Sequence, residues 1–170
     1  SILSDVAKAV DNKLAQEAIS KDDVQGIGIG VPGPVDSQGV VHRCVNLGWG
    51  VVNVAEELGN LTGLTIKVGN DANVAALGEM WQGGAKGSKD VIMVTLGTGV
   101  GGGIIVDGKV VAGFNGAGGE IGHITVNNDE IEACNCGQYG CLEQYTSATG
   151  IVRLAKRKLA KSSEETSIRE

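Results

Sequence analysis

The chain has 170 residues and a formal net charge of −6; 42% of its residues are hydrophobic and 28 are glycine. The hydrophobic share predicts a globular chain, long enough for one sizeable core or two small lobes. The acidic balance argues against nucleic acid as a partner, and the aromatic residues (two Trp, two Tyr and one Phe) are too few for a base-stacking surface. No apolar run approaches the roughly 18 residues of a membrane span. With no recognisable secretory signal segment, no membrane contact and a cytoplasmic setting are expected.

The first part of the chain is predicted to form a helix and a strand. Apolar residues at helical spacing predict an amphipathic helix over residues 1–19. Residues 24–31 are predicted to form a strand with Gly26, Gly28 and Gly30 on one face. A face of glycines admits either a closely packed helix or a ligand, and both interpretations stay open. Residues 36–50 are predicted to be mostly loop.

A second helix and strand follow. Asn53 with Glu56 resembles a capping box, which predicts a short helix ending at about Gly59. Residues 65–68 are predicted to form a short buried strand.

The Asn70-Asp71 pair stands where this strand leads directly into a predicted helix, which ends at Gly83-Gly84. This position places Asp71 at or beside the N-cap of the helix. Aspartate is a common capping residue, but a carboxylate at such a point is also a candidate catalytic group. Capping and catalysis are both open on local sequence alone.

A glycine-rich turn over residues 97–103 follows a continuous apolar run, residues 91–96, which predicts a strand buried on both faces. Asp107-Gly108 predicts a hairpin between residues 104–106 and 109–111. The turn therefore joins two strands, which excludes the dinucleotide fingerprint and the Walker loop because both open a helix. Its backbone N–H groups and the Thr98 hydroxyl can still bind a phosphate.

Three cysteines, Cys134, Cys136 and Cys141, fall within eight residues, and His123 lies eleven residues before the first. Thiolates and imidazole are the ligands that Zn²⁺ prefers, so these four residues predict a closed, structural zinc site. Reduced buried thiols are the next interpretation, and a disulfide across Cys134 and Cys136 would be badly strained. We call residues 134–141 the cysteine knuckle. The fourth cysteine, Cys44, is predicted to be a small core or loop residue.

Glu120 and Glu143 bracket this site without being needed as ligands. A helical pattern follows Glu143 and continues to Leu159. Residues 162–170 are polar and contain the start of a further predicted helix.

Several of these segments together resemble the ROK family, named for repressors, open reading frames and sugar kinases. The likeness covers essentially the whole chain and is closest to the family's bacterial glucokinases in two of the segments. It is carried by Asn46-Leu47-Gly48-Trp49, Asn70-Asp71-Ala72-Asn73, Leu96-Gly97-Thr98-Gly99, Gly119-Glu120-Ile121-Gly122-His123 and the run from Cys134 to Glu143.

The resemblance implies an α/β fold of the actin/hexokinase-like (ribonuclease H-like) type, with two lobes and a zinc knuckle. Residues 1–71 would form part of the small N-terminal lobe and residues 72–170 part of the large lobe that carries the knuckle. The implied activity is ATP-dependent phosphorylation of glucose to glucose 6-phosphate, in a homodimer or homotetramer.

The resemblance also implies the roles of particular residues. The family's catalytic base falls on Asp71, and Mg²⁺ would arrive with ATP. Its sugar ligands fall on Asn70, Asp71, Glu120, His123 and Glu143, its zinc ligands on His123, Cys134, Cys136 and Cys141, and its second phosphate motif on Gly97, Thr98 and Gly99.

Two family segments have no counterpart in the sequence: an N-terminal Asp-x-Gly-Gly-Thr hairpin that binds phosphate, and a glycine-rich segment that binds adenosine. The chain is therefore expected to be the central piece of a longer kinase and to be inactive alone. The alternatives are a sugar-responsive repressor of the same family, a kinase for fructose or N-acetylmannosamine, and a structural zinc module without a ligand.

Overall fold

The computed structural model describes residues 1–42, 44 and 47–169, so Asn46 and Glu170 from the segments above lie outside the described residues. No helix in this part of the chain is long and apolar enough to cross a membrane. Short 3₁₀ turns occupy Lys21–Asp23, Ile121–His123 and Ser167–Arg169. The helices and strands, in chain order, are α1 Ile2–Gln16, β1 Ile27–Val31, β2 Val40–Val41, β3 Val52–Asn53, α2 Val54–Thr62, β4 Ile66–Asn70, α3 Asp71–Gln82, β5 Val91–Leu96, β6 Val100–Val106, β7 Lys109–Val110, α4 Glu143–Thr146 and α5 Ala148–Leu159.

The region before α3 is built around an apolar core between α1, α2 and the parallel pair β1–β4. The predicted helices and strands are present, although the first helix ends three residues earlier and the first strand begins three residues later than expected. Cys44 is buried in this core, as predicted. The buried apolar side chains are Leu3, Ala7, Val31, Val35, Val41, Cys44, Val54, Leu58 and Ile66.

Helix α2 begins as predicted, because the Asn53 side chain accepts a hydrogen bond from the Glu56 N–H at 3.1 Å. It does not end at about Gly59 but continues to Thr62. Gly63 then takes a left-handed conformation with φ of 73°, which ends the helix at little steric cost. The described part of residues 36–50 is mostly loop, as predicted, apart from the short strand β2, which pairs with β3.

Strands β5, β6 and β7 form an antiparallel sheet, and a turn joins β5 to β6 as predicted. The turn covers only residues 97–99, because β6 begins at Val100 and not after Gly103 as expected. The predicted hairpin is also present, with positive φ angles at Asp107 and Gly108. The prediction that β5 is buried on both faces is wrong: Ile92, Val94 and Leu96 are 73%, 50% and 67% exposed. Helix α3 packs against one face of the sheet, and the opposite face of β5 is largely exposed.

Strand β6 is approached closely from both sides because its first half is almost entirely glycine. A Cβ atom at Gly103 would lie 2.6 Å from the Ala72 carbonyl oxygen of α3. On the other face, a Cβ atom at Gly102 would lie 2.5 Å from the Gly119 carbonyl oxygen. Glycine at these positions therefore places α3 and the segment that leads to His123 against the same strand.

The glycine face of β1 packs against a helix at one end and is open at the other, so each of the two expected interpretations, a packed helix or space for a ligand, fits one part of it. A Cβ atom at Gly30 would lie 3.4 Å from the Asp71 Cα atom, so this end packs against α3. At Gly28 no described heavy atom lies within 4 Å of the corresponding position.

The segment after Glu143 is two helices and not one. Ser147 ends α4 and caps α5, because its hydroxyl accepts a hydrogen bond from the Gly150 N–H at 3.0 Å. The helix expected to start in residues 162–170 amounts to the turn Ser167–Arg169.

Candidate functional site

Asn70 and Asp71 lie at the junction of β4 and α3, and their side chains have different hydrogen-bond partners. The Asn70 side chain is the N-cap: its Oδ1 atom accepts from the Asn73 N–H at 3.1 Å. Its Nδ2 atom donates to the Gly33 carbonyl oxygen at 3.2 Å. Asp71 is exposed, and among the described residues its Oδ1 atom accepts only from the next residue in the chain, the Ala72 N–H at 2.9 Å. Asn70, and not Asp71, therefore caps the helix.

The Asp71 carboxylate lies where ligands commonly bind in α/β proteins. Strands β1 and β4 are parallel, with Val31 opposite Asn70 at their carboxyl ends. Ligand sites of open α/β sheets lie outside such ends. A Cβ atom at Gly101 would also lie 3.3 Å from the Ala72 Cβ atom, so the first turn of α3 is near the Val100 end of β6.

The thiols of the cysteine knuckle and the His123 ring form one cluster. Their ligand atoms all lie within 4.8 Å of one another. The Cys136 and Cys141 sulfurs are 3.7 Å apart, and the Cys134 sulfur is 3.8 Å from His123 Nδ1. Tetrahedral zinc with bonds of about 2.3 Å to sulfur and 2.0–2.1 Å to nitrogen separates two sulfurs by about 3.8 Å and a sulfur from a nitrogen by about 3.6 Å. The donor set and its spacing therefore fit zinc, and all the cysteines are free thiols.

The protonation of these thiols shows what a cation would change. Burial, followed by the neighbouring Cys136 and Cys134 thiols, raises the pKa of Cys141 to about 12. Burial also raises the pKa of Cys134. Without a cation both groups are neutral thiols at pH 7, whereas a coordinating thiol loses its proton.

Glu143 connects the knuckle to the glycine turn. Its Oε2 atom accepts from the Val100 N–H at 2.9 Å, and its Oε1 atom lies 3.7 Å from the Cys134 sulfur. A Cβ atom at Gly99 would collide with the Glu143 carboxylate. Glycine at position 99 is therefore what lets the carboxylate approach the start of β6.

The glycine turn is anchored to α5 through its carbonyl groups. The Gly97 oxygen accepts from the Ala148 N–H at 2.9 Å, and the Thr98 oxygen accepts from the Thr149 hydroxyl at 2.8 Å. The Gly97 N–H is bonded to the Gly99 oxygen at 3.0 Å. The donors that the turn can offer a phosphate are thus the N–H groups of Thr98 and Gly99 and the Thr98 hydroxyl.

Glu120 precedes the turn Ile121–His123, and His123 is its last residue. Glu120 is exposed and makes no side-chain capping bond to this turn. His123 is half-buried and directs Nδ1 toward the knuckle, so Nε2 lies on the opposite side of its ring. The structure thus brings His123, the knuckle cysteines, Glu143 and the glycine turn together, with Asn70 and Asp71 at the same end of β6.

Glu130 is a buried carboxylate that the sequence did not predict. Glu130 is 6% exposed and accepts hydrogen bonds from the Tyr145 hydroxyl at 2.6 Å and from Arg153 at 3.0 Å. Arg157 donates to the same carboxylate at 3.1 Å. These bonds hold the pKa of Glu130 far below its usual range, with Arg153 the largest cause. The only available signal was the pair of arginines four residues apart on a predicted helix.

Known proteins resemble the chain in sequence and structure. A glucokinase of Halalkalibacterium halodurans is 48% identical over 155 residues, which cover 91% of this chain and 47% of that protein. The ROK family glucokinase of Streptomyces griseus, solved in complex with glucose and AMPPNP, matches with a TM-score of 0.75 and 39% identity over 92% of this chain and 50% of that chain. A ROK family transcriptional regulator, a homolog of the E. coli MLC protein, matches with a TM-score of 0.83 and 28% identity over 98% of this chain and 42% of that chain.

The chain therefore spans less than half the length of the Halalkalibacterium glucokinase and half of the Streptomyces one. The structural likenesses confirm the α/β, actin/hexokinase-like fold class. The sequence pattern of the ROK family matches residues 2–170, and the chain belongs to that family.

Proposed function

We propose that the protein phosphorylates a hexose at the expense of ATP, with glucose as the substrate and glucose 6-phosphate as the product. One observation carries this proposal: Asn70 caps α3, which leaves the exposed Asp71 carboxylate without a capping duty at the carboxyl end of β4. The glucokinase relatives support the same activity.

Asp71 acts as the general base. It accepts the proton of the attacking sugar hydroxyl and directs the oxygen toward the γ-phosphorus of ATP. As the new P–O bond forms, the bond between the γ-phosphorus and the β,γ-bridging oxygen breaks and ADP leaves. Asn70 already uses one amide hydrogen on Gly33 and one oxygen lone pair on Asn73. An amide has two of each, so Asn70 keeps one donor and one acceptor for a hydroxyl.

Glu120, His123 and Glu143 bind the other sugar hydroxyls in this proposal. Glu143 is held by the Val100 N–H, and its carboxylate keeps further lone pairs for hydroxyl donors. His123 presents Nε2 on the side away from the thiols, where an N–H can donate to a sugar oxygen. Such a site rejects an inverted hydroxyl strongly, because a buried polar group is left unpaired.

The zinc would be held by His123, Cys134, Cys136 and Cys141, and four protein ligands leave no open position, so its role is structural. Coordination at Nδ1 would fix the tautomer of His123 with its proton on Nε2. Mg²⁺ enters with ATP, whose phosphates meet the turn at Gly97, Thr98 and Gly99.

The lobe division proposed from the resemblance places its boundary between Asp71 and Ala72. In support, the two apolar clusters lie entirely within residues 1–71, and the knuckle lies beyond it. Helix α3 contacts β1 and β4 on one side of this boundary and β5 and β6 on the other. We also propose a cytoplasmic homodimer or homotetramer.

The test is ATP-dependent phosphorylation of glucose by the full-length protein and its Asp71→Asn variant. Loss of the base is expected to lower kcat by about 10²–10⁴-fold with glucose affinity retained. Asp5→Asn is a matched control, because Asp5 is also an acidic residue in the first turn of a helix. An Asp71→Asn variant that keeps most of its activity would exclude Asp71 as the base.

A sugar-responsive transcriptional repressor is the second candidate, and the match to the ROK family regulator over 98% of the chain favours it. In that case the wild-type protein binds glucose without phosphorylating it. A DNA-binding measurement with and without sugar would then be decisive.

A further inference from the structure

The buried Glu130 cluster lies outside the proposed catalytic and metal-binding residues. The Glu130 side chain is 1% exposed, and two arginines face it with side chains 21% and 39% exposed, Arg153 and Arg157. Its Oε1 atom also accepts from the N–H groups of Ile131 and Glu132 at 3.0 and 3.1 Å. A buried carboxylate with this many donors is fully satisfied, and removing one partner would leave charge uncompensated.

The bonds of this cluster converge on the residues beside Glu143. Tyr145, two residues after Glu143, donates its hydroxyl to Glu130 and accepts from Asn127 at 2.9 Å. Arg153 Nη2 donates both to Glu130 and to the Gln144 carbonyl oxygen at 3.1 Å. The cluster therefore binds α4 through a side chain and through the main chain.

Gln144 extends the connection to the cysteine knuckle. It is buried, its Oε1 atom accepts from the Cys141 N–H at 3.0 Å, and its Nε2 atom donates to the Glu132 carbonyl oxygen at 2.9 Å. Helix α5 also lies directly on this peptide, since a Cβ atom at Gly150 would lie 2.7 Å from the Gln144 oxygen. Residues on both sides of Glu143 are thus held by contacts that start at Glu130.

We propose that Glu130 is a positioning residue for sugar binding: with Arg153 and Tyr145 it fixes α4 so that the Glu143 carboxylate meets the Val100 N–H and faces the sugar. Glu130 touches neither substrate nor metal in this arrangement. The inference rests on the proposed function, because it concerns a sugar bound at Glu143. When the contacts that support a binding group are loosened, the group is still present but is held less accurately, and affinity for the ligand falls.

The test compares Glu130→Gln with Glu132→Gln in the full-length protein. Glu132 is the matched control because it pairs with the same arginine at 2.7 Å, but its side chain is 50% exposed. Glu130→Gln is expected to raise the KM for glucose and the calorimetric Kd for glucose about tenfold, with the KM for MgATP unchanged and kcat changed less than KM. Glu132→Gln is expected to behave as wild type, since exposed ion pairs contribute little.

Tyr145→Phe keeps the test valid if Glu130→Gln does not fold. It removes one bond to Glu130 and one to Asn127 without placing a new charge in the interior. The same KM shift at about threefold is expected, with the thermal midpoint close to wild type.

Folded Glu130→Gln and Tyr145→Phe variants that bind glucose like wild type would overturn the positioning role and leave the proposed kinase intact. An equal fall in kcat and rise in both KM values would also overturn it, because that pattern indicates general loosening. A wild-type protein that binds no sugar would instead overturn the proposed function, and this inference with it.

Discussion

The region before α3 and the region around the cysteine knuckle are held together by different interactions. The first has two clusters of buried apolar side chains, and Val41, Val54 and Leu58 are completely buried. The second buries thiols, a carboxylate and the Gln144 amide. Apolar burial is non-directional, whereas metal ligation and charged hydrogen bonds fix positions within tenths of an ångström. The region that we assign to sugar recognition is the one built from directional contacts.

The largest difference between the regions is expected on removal of a zinc ligand. Cys136→Ser in the full-length protein should release zinc and weaken glucose binding together, because His123 would lose the partner that fixes its ring. Structural zinc sites bind with about 10–16 kcal/mol at pH 7, far more than one hydrogen bond contributes. Metal content by mass spectrometry and glucose affinity by calorimetry check this result. If the metal is lost and glucose affinity holds, the proposed coupling through His123 is wrong.

Truncation of a side chain in the apolar core should lower the stability of the protein without affecting the metal site. Leu58→Ala removes a completely buried side chain that packs with Ala7 and Ile66, and a cost of about 2–5 kcal/mol in unfolding free energy is expected. Zinc content of the folded protein should not change. Urea unfolding and metal analysis measure the two quantities, and zinc loss from folded Leu58→Ala would show that the regions are not independent.

Acid should weaken the second region through Glu130. Its pKa in the folded protein lies well below the ordinary value of 4.5, chiefly because Arg153 and then Tyr145 donate to the carboxylate. A lowered pKa stabilises the folded state fully above the unfolded-state pKa, and this contribution is lost as pH falls below it.

The difference in unfolding free energy between wild type and Glu130→Gln should therefore stay constant above about pH 5 and narrow as pH falls from about 5 to about 3. Both proteins carry the same thiols, so loss of metal in acid affects them alike. Urea unfolding at several pH values measures the difference. A constant difference over this range would show that the carboxylate charge does not stabilise the fold.

The smallest change in stability is expected for Cys44→Ala. This variant tests a cysteine of the apolar core against the cysteines of the knuckle. Cys44→Ala should lower the unfolding free energy by about 1 kcal/mol, because Cys44 is a small buried side chain packed among apolar neighbours. Zinc stoichiometry should stay as in wild type. Metal analysis beside thermal unfolding checks this, and a fall in zinc content would contradict the separation of the two cysteine environments.

Features that depend on neighbours in the sequence were predicted well. The Asn53 cap, the turn at Asp107-Gly108 and the turn that joins β5 to β6 follow from backbone preferences over a few residues. The clustering of the knuckle thiols with His123 also followed from residue type and spacing. Domain boundaries and the roles of the sugar-binding residues stay predictions.

Features that depend on distant partners were missed. Glu130 stands in an irregular segment where an acidic residue is ordinarily solvated, and its partners Tyr145, Arg153 and Arg157 lie 15, 23 and 27 residues further along the chain. The exposed face of β5 was missed for a related reason. An apolar run shows that both faces can be buried but not what lies against each of them.

The sequence by itself determined most of the helices and strands, the hairpins and the grouping of three thiols with an imidazole, because these follow from conformational preference, residue type and spacing. Only the tertiary structure decided that Asn70 and not Asp71 caps α3, that Glu143 binds the start of β6, and that Glu130 is buried. In each case a bond to a distant residue contributes to the outcome: Gly33 for Asn70, Val100 for Glu143 and Arg153 for Glu130. The packing of α3 on β6 and of α5 on α4, with the bond from Val100 to Glu143, settles these outcomes because it determines which donors reach each side chain.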